Sequence, residues 1–174
     1  ANEPLSAEGE TLTFRGGLSF NAPATPVVIA ALGPAMLKLC GTRADGTSTW
    51  MTGPNTIRDH VAPTIREAAE AAGRPEPQII ASVPVCVTAD TGPALERAAT
   101  QFEIYGGLPS YRAMMDREGV AGPADIALIG SQSEVIERLQ GFFDAGSTLV
   151  NGVMFGTPDE QAATREALVL ANQG

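Results

Sequence analysis

Four short apolar runs alternate with segments of helical spacing along this chain, and that alternation most restricts what it can fold into. Val27-Val28-Ile29-Ala30-Ala31 is continuously apolar, the mark of a strand buried on both faces. Gly33-Pro34 follows, and Met36, Leu37, Leu39 and Cys40 lie on a short helix expected to stop at Gly41. Thr47 to Thr52 fits a second strand, closed by Gly53-Pro54. Ile57, Val61, Ile65, Ala68, Ala69 and Ala72 then share a helix face, with Gly73 as the C′ residue. Pro63 inside that pattern predicts a kink or a split. Gln78 to Val87 is the third strand, and Pro84, which cannot donate to a ladder, predicts a bulge or a strand end there.

A helix from about Thr91 to Tyr105 is broken at Gly106-Gly107 and followed by another from Pro109 to Arg117. Ser131-Gln132-Ser133-Glu134 and Thr157-Pro158-Asp159-Glu160 read as capping boxes that open helices. The fourth strand, Thr148 to Phe155, lies between those two helices. Ahead of all this, residues 8–20 alternate weakly through Leu12, Phe14, Leu18 and Phe20, which reads as a small hairpin arm. Strands alternating with helices imply parallel pairing. Four βα units, with an extra helical excursion before the last strand, build either a small open doubly wound sheet or half of an eight-stranded barrel. The Gly-rich phosphate fingerprints of dinucleotide-binding and P-loop folds are absent.

The 174 residues suffice for one domain with a sizeable core. A net charge of −9 argues against a nucleic-acid or anionic-membrane surface, which needs clustered Lys and Arg. No apolar run reaches the ~18 residues of a membrane span, and no basic-then-apolar leader opens the chain, so a cytoplasmic location is the default. Cys40 and Cys86 sit in apolar runs and read as small buried thiols, not a redox pair. A single His and no Cys-x-x-Cys pattern argue against a zinc site, and no metal is expected. The opening Ala1-Asn2-Glu3-Pro4, without Met, reads as the start of a processed product or of a piece of something longer.

Three places carry candidate chemistry. In Ala30-Ala31-Leu32-Gly33-Pro34-Ala35-Met36 a strand turns through Gly33 into a helix N-terminus, which suits a phosphate or carboxylate; a plain βα turn is the alternative. Trp50, the only Trp, stands near the C-terminal end of a strand among Thr49 and Thr52. In parallel folds that end carries the site, so Trp50 either stacks on a planar ring or packs the barrel mouth. Gly106-Gly107-Leu108-Pro109-Ser110-Tyr111-Arg112, continuing to Arg117, is a surface helical hairpin or, alternatively, a lid with an anion clamp. His60, between Asp59 and Val61, reads as a surface or rim residue. No catalytic triad, carboxylate pair or catalytic Cys assembles from the rest, so the catalytic residues stay unassigned.

Together these segments resemble the luciferase-like monooxygenases and F420-dependent oxidoreductases. Pro26-Val27-Val28-Ile29-Ala30-Ala31-Leu32-Gly33-Pro34, followed by Gly41-Thr42-Arg43-Ala44-Asp45-Gly46, is similar to that family's fifth βα unit, with Cys40 in place of a common Ala. Thr49-Trp50-Met51-Thr52-Gly53-Pro54 and Tyr105-Gly106-Gly107-Leu108-Pro109-Ser110-Tyr111 resemble an F420-dependent subgroup. Ile129-Gly130-Ser131 with Glu134-Val135, then Asp144-Ala145-Gly146, resembles the closing units.

The resemblance implies an α/β fold of the (β/α)8 TIM-barrel type, with residues 25–174 covering strands five to eight and residues 1–24 an insertion arm. It implies hydride transfer between F420, or alternatively FMN in a monooxygenase, and a small organic substrate. Gly33, Pro34 and Met36, with Ala31 and Leu32 leading into them, match positions that hold the cofactor's phosphate-bearing tail. Thr52 matches a position near the substrate, and Trp50 is placed at the mouth from its strand end. The missing N-terminal half, or a second copy of the chain, is the implied partner. From a different class, the chain reads as a non-catalytic half-barrel that binds a phosphorylated ligand or a partner subunit.

Overall fold

The computed structural model describes residues 5–17 and 23–172. Leu5–Glu8 (β1) and Thr13–Gly16 (β2) pair as an antiparallel hairpin; Leu18 and Phe20 of the arm lie outside the described residues. The rest alternates: Val28–Ala30 (β3), Pro34–Arg43 (α1), Gly46–Trp50 (β4), and a helical run made of Pro54–Thr56 (α2), a π-helical turn Ile57–Val61 and Ala62–Ala71 (α3). Gln78–Val87 (β5) precedes an excursion of Thr91–Gln101 (α4), Glu103–Gly107 (α5), Pro109–Glu118 (α6) and Pro123–Ile126 (α7). Leu128–Gly130 (β6), Gln132–Asp144 (α8), Leu149–Met154 (β7) and Pro158–Ala171 (α9) complete the described chain. Among the described residues no helix is long and apolar enough to cross a membrane.

All pairs in the main sheet are parallel, in the order β3-β4-β5, with β6 and β7 also on β5. Residues 80–82 of β5 pair with both β4 and β7, so those two strands occupy opposite edges. Val85 pairs with both β6 and β7, so β6 takes over the edge that β4 leaves. The sequence reading has no strand at Leu128–Gly130: three residues carry too little periodicity to show one.

This joint also explains Pro84, which sits in continuous ladder opposite Val153, not at a bulge or a strand end. Gln78 N–H donates to Asp45 O and Thr88 N–H to Gly130 O, so even-numbered backbone groups of β5 face the β4/β6 edge. At position 84 that edge is the gap between Trp50, opposite Ser82, and Leu128, opposite Val85. A missing N–H costs nothing there.

One sheet face is covered. Ile79, Ala81, Val83 and Val85 pack into a single core with Leu37 of α1, Ile65 of α3, Phe142 of α8 and Ala167 of α9. On the other face Ala30, Ser48, Ile80 and Leu149 are registered across four strands, and Trp50, Ser82 and Asn151 form the next row. Ala30, Leu149, Asn151 and Val153 of that face are exposed. A doubly wound sheet carries helices on both faces, whereas a barrel arc carries them only outside. The one-sided cover therefore selects the barrel arc. It also corrects the reading of β3 as buried on both faces: Val28 and Ile29 are half-buried and Ala30 is open.

Gly41 does not stop α1, which continues to Arg43. Its missing side chain lets α1 close on α3: a Cβ there would stand 2.5 Å from Ile65 O and 2.8 Å from Ala68 Cβ. Gly73 does end α3, at φ 65°, in a Schellman motif with Gly73 N–H on Glu70 O and Arg74 N–H on Ala69 O. Pro63 splits its helix through the π-turn, whose Ala62 N–H donates to Ile57 O; the wider turn relieves the proline ring of the carbonyl four residues back.

Both capping boxes form, at Ser131/Glu134 and Thr157/Glu160. Burial works against ionisation of Glu160, but bonds from Thr157, Thr88 and Arg97 outweigh it and hold its carboxyl below the ordinary value. A depressed folded-state pKa adds stability above the ordinary carboxylate range that is lost as pH falls through the folded value. Thr157→Ala is expected to cost about 1 kcal/mol in urea unfolding. Acidification should loosen the same terminus, read as faster amide exchange at residues 157–160.

Candidate functional site

At the C-terminal ends of the strands, Met51, Cys86, Ala94, Phe102, Ala127 and Phe155 form a second buried cluster under the α4–α7 excursion. Trp50 leans on it, edge-to-face with Phe102 and Tyr105, each ring pair 6.0 Å apart. Tyr105 meets Tyr111 at 4.9 Å. Burial, and then the neighbouring Tyr105, push the Tyr111 phenol up, so it stays neutral and able to donate. Trp50 Nε1–H is shielded from solvent and has no acceptor among the described residues. Behind it Met51 takes a left-handed backbone, φ 53°, which turns the Thr52 hydroxyl back to donate to Trp50 O at 3.2 Å.

The β3–α1 turn faces this aromatic wall across a cleft of about 520 Å³. Ala31, Leu32, Gly33 and Met36 line it together with Trp50, and Ser48, Ser82, Asn151, Ser110 and Tyr111 complete the walls. Thus five of the seven sequence-identified binding positions share one cavity. Pro34 and Thr52 do not line it, and Thr52 is fully buried. Ser48 belongs to the hydroxyl-rich segment around Trp50, whereas Ser82 and Asn151 carried no sequence signal: the register of three strands brings them together, and Asn151 Nδ2 donates to Ser82 Oγ at 3.3 Å.

The helix termini at this end are not equivalent. Those of α8 and α9 are closed by their own capping boxes. Asp90 stands at the N-terminus of α4. Glu118 closes α2 from 62 residues away, its carboxylate accepting from Asn55 N–H at 3.2 Å, Thr56 N–H at 2.7 Å and the Thr56 hydroxyl at 2.8 Å. In α1 Gly33 is the N-cap with no side-chain cap, Pro34 has no N–H, and the first turn has no acid. The N–H groups of Ala35 and Met36 have no partner among the described residues. This terminus presents open donors and the positive end of a ten-residue helix, which is where an anion would be favoured.

Glu118→Ala, which removes three accepted bonds, is expected to cost about 2–3 kcal/mol. Glu118→Gln should cost less, as chemical denaturation of both variants will show.

His60 is not at the rim. It is 7% exposed, and its Nε2 lies 2.9 Å from Leu32 O. The i→i+5 turn changes the angular step, and His60 joins Ile57 and Val61 on the buried side. Arg112 forms no anion clamp: it donates to Asp116, Val120 O and Ala121 O. Both thiols are free and buried, and burial pushes each of them up.

Comparison with known proteins identifies the family and the fold. The family model for luciferase-like monooxygenase matches residues 1–149. The F420-dependent glucose-6-phosphate dehydrogenase of Mycolicibacterium fortuitum is 35% identical over 98 residues, 55% of this chain and 29% of that protein. Its namesake in Kineococcus radiotolerans is 27% identical over 167 residues, 85% of this chain and 48% of that protein.

Among solved structures, an F420-dependent secondary alcohol dehydrogenase in complex with an F420-acetone adduct superposes with a TM-score of 0.72 at 18% identity, covering 98% of this chain and 57% of that one. The oxygenating constituent of Pseudomonas putida 3,6-diketocamphane monooxygenase, in complex with FMN, gives 0.64 at 18% identity, over 97% and 57%. The fold is that of the luciferase-like TIM barrels, and the chain spans about half the length of the relatives it matches, or less.

Proposed function

The chain belongs to the luciferase-like monooxygenase family, and from that premise we propose that it contributes the C-terminal half of an F420-dependent oxidoreductase. The observation that carries this reading is the shared cleft, with the uncapped α1 terminus on one wall and Trp50 on the other. The open space at Gly33, where a Cβ would meet nothing within 4 Å, leaves the backbone approachable by a phosphate. Relatives named as F420-dependent support F420.

Ala31 to Met36 hold the phosphate-bearing tail through backbone N–H groups and the α1 dipole. Trp50 and Tyr111 form an aromatic wall, backed by Phe102 and Tyr105, that orients a small organic substrate and keeps water away. Thr52 acts on the substrate side through Trp50, by fixing its carbonyl. Bound in the cleft, the deazaflavin supplies hydride transfer. The missing N-terminal half, or a second copy of the chain, is the proposed partner.

A second reading, an FMN-dependent monooxygenase, draws on the structural likeness to the FMN complex. Equilibrium dialysis of the full barrel, this chain joined to strands one to four, separates the readings. Retention of F420 supports the first, and retention of FMN with oxygen uptake the second. Retention of neither overturns both and leaves a non-catalytic half-barrel.

A further inference from the structure

We propose that His60 is a positioning residue for the β3–α1 turn. By donating from Nε2 to the Leu32 carbonyl, it holds the turn in the conformation that leaves the first-turn amides of α1 open to the cleft. The proposal rests on the reading of that turn as the seat of the cofactor's phosphate.

A carbonyl oxygen only accepts, so at 2.9 Å the proton of this bond lies on Nε2. Among the described residues it is the only hydrogen bond made by Leu32. On either side, among the described residues, the turn is tied by Ala31 N–H to Ser48 O and Leu37 N–H to Gly33 O. Gly33 has no side chain to pack, and nothing lies within 4 Å of where one would start. A glycine turn with so little steric hold keeps one shape only through an external tie.

His60 reaches across from the helical run that follows β4, 28 residues away in sequence. The π-turn that brings it there lies directly ahead of Pro63. Single π-turns gather at functional sites because they aim one side chain out of helical register. The His60 ring is buried, and the bond to Leu32 is its one hydrogen bond among the described residues.

The test compares His60→Phe, which keeps an apolar ring and loses the donor, with His60→Gln, which keeps an N–H. In the ¹⁵N-labelled full chain, amide exchange is followed at Ala31 and Leu37, whose N–H groups are bonded to Ser48 O and Gly33 O on either side of the turn, with Val135 and Phe142 of α8 as the measure of intact fold. F420 is then titrated in, with inorganic phosphate as the tail-only probe.

His60→Phe is expected to raise exchange at Ala31 and Leu37 about tenfold and to weaken F420-induced shifts at Gly33, Ala35 and Met36 about five- to tenfold, with α8 unchanged. His60→Gln should stay within about twofold of the parent chain. Unchanged exchange in His60→Phe, or equal impairment in both variants, overturns the role of His60. If His60→Phe does not fold, His60→Gln decides alone: retained protection supports the proposal, and its loss overturns it. F420 that moves none of residues 33–36 in the parent chain overturns the phosphate reading instead, and the exchange comparison still decides the tie.

Discussion

Supplied with F420 and a panel of small alcohols and ketones, the 174-residue chain alone is expected to show no deazaflavin absorbance change above the protein-free rate. The inner face of its sheet is open at Ala30, Leu149, Asn151 and Val153, where a closed barrel packs layers of side chains. Among the described residues no strand pairs with the outer edges of β3 and β7. Hydride transfer needs cofactor and substrate held in one geometry with water excluded, and an arc of sheet leaves the reacting centre open on one side. Co-expression with strands one to four, or a symmetric assembly of two copies, should close the barrel. With strands one to four supplied, the absorbance change should appear. Turnover by the isolated monomer would refute the prediction.

Gly41→Val is expected to cost about 3 kcal/mol or more, enough to take a large share of the stability of a domain this size. A single Cβ already meets Ile65 O at 2.5 Å, Ala68 Cβ at 2.8 Å and Ala69 N at 2.9 Å, and two of these are backbone atoms that cannot swing away. Relief requires α1 to move off α3, which opens the core around Leu37, Cys40 and Ile65. Gly92→Ala serves as the control: it sits in the first turn of α4, and its Cβ meets nothing within 4 Å. It should be neutral or stabilise slightly, by about 0.4–1 kcal/mol. Urea unfolding of the three chains is the measurement, and an unshifted midpoint for Gly41→Val would contradict the close-packing account.

Whatever depends on near neighbours along the chain was legible. The capping boxes at Ser131 and Thr157, the C′ glycine at Gly73 and the split at Pro63 follow from interactions that span three to five residues. Gly41 shows where such grammar misleads. A glycine near a helix end looks like a stop, yet here it serves a helix crossing made with residues more than twenty positions away. Pro84 misleads in the same way, since its cost depends on which strand edge its nitrogen faces.

By itself the sequence determined the βα alternation, the Gly33-Pro34 helix start and the strand end that carries Trp50, because periodicity and capping are local and repeat at fixed spacing. Only the tertiary structure decided that the helices cover one face, that Ser48, Ser82 and Asn151 join Trp50 around one cleft, and that His60 ties down Leu32. Those facts rest on register and on contacts between residues 28 to 69 positions apart. Spacing along a chain sets angles within an element; it carries no distance between elements until they pack.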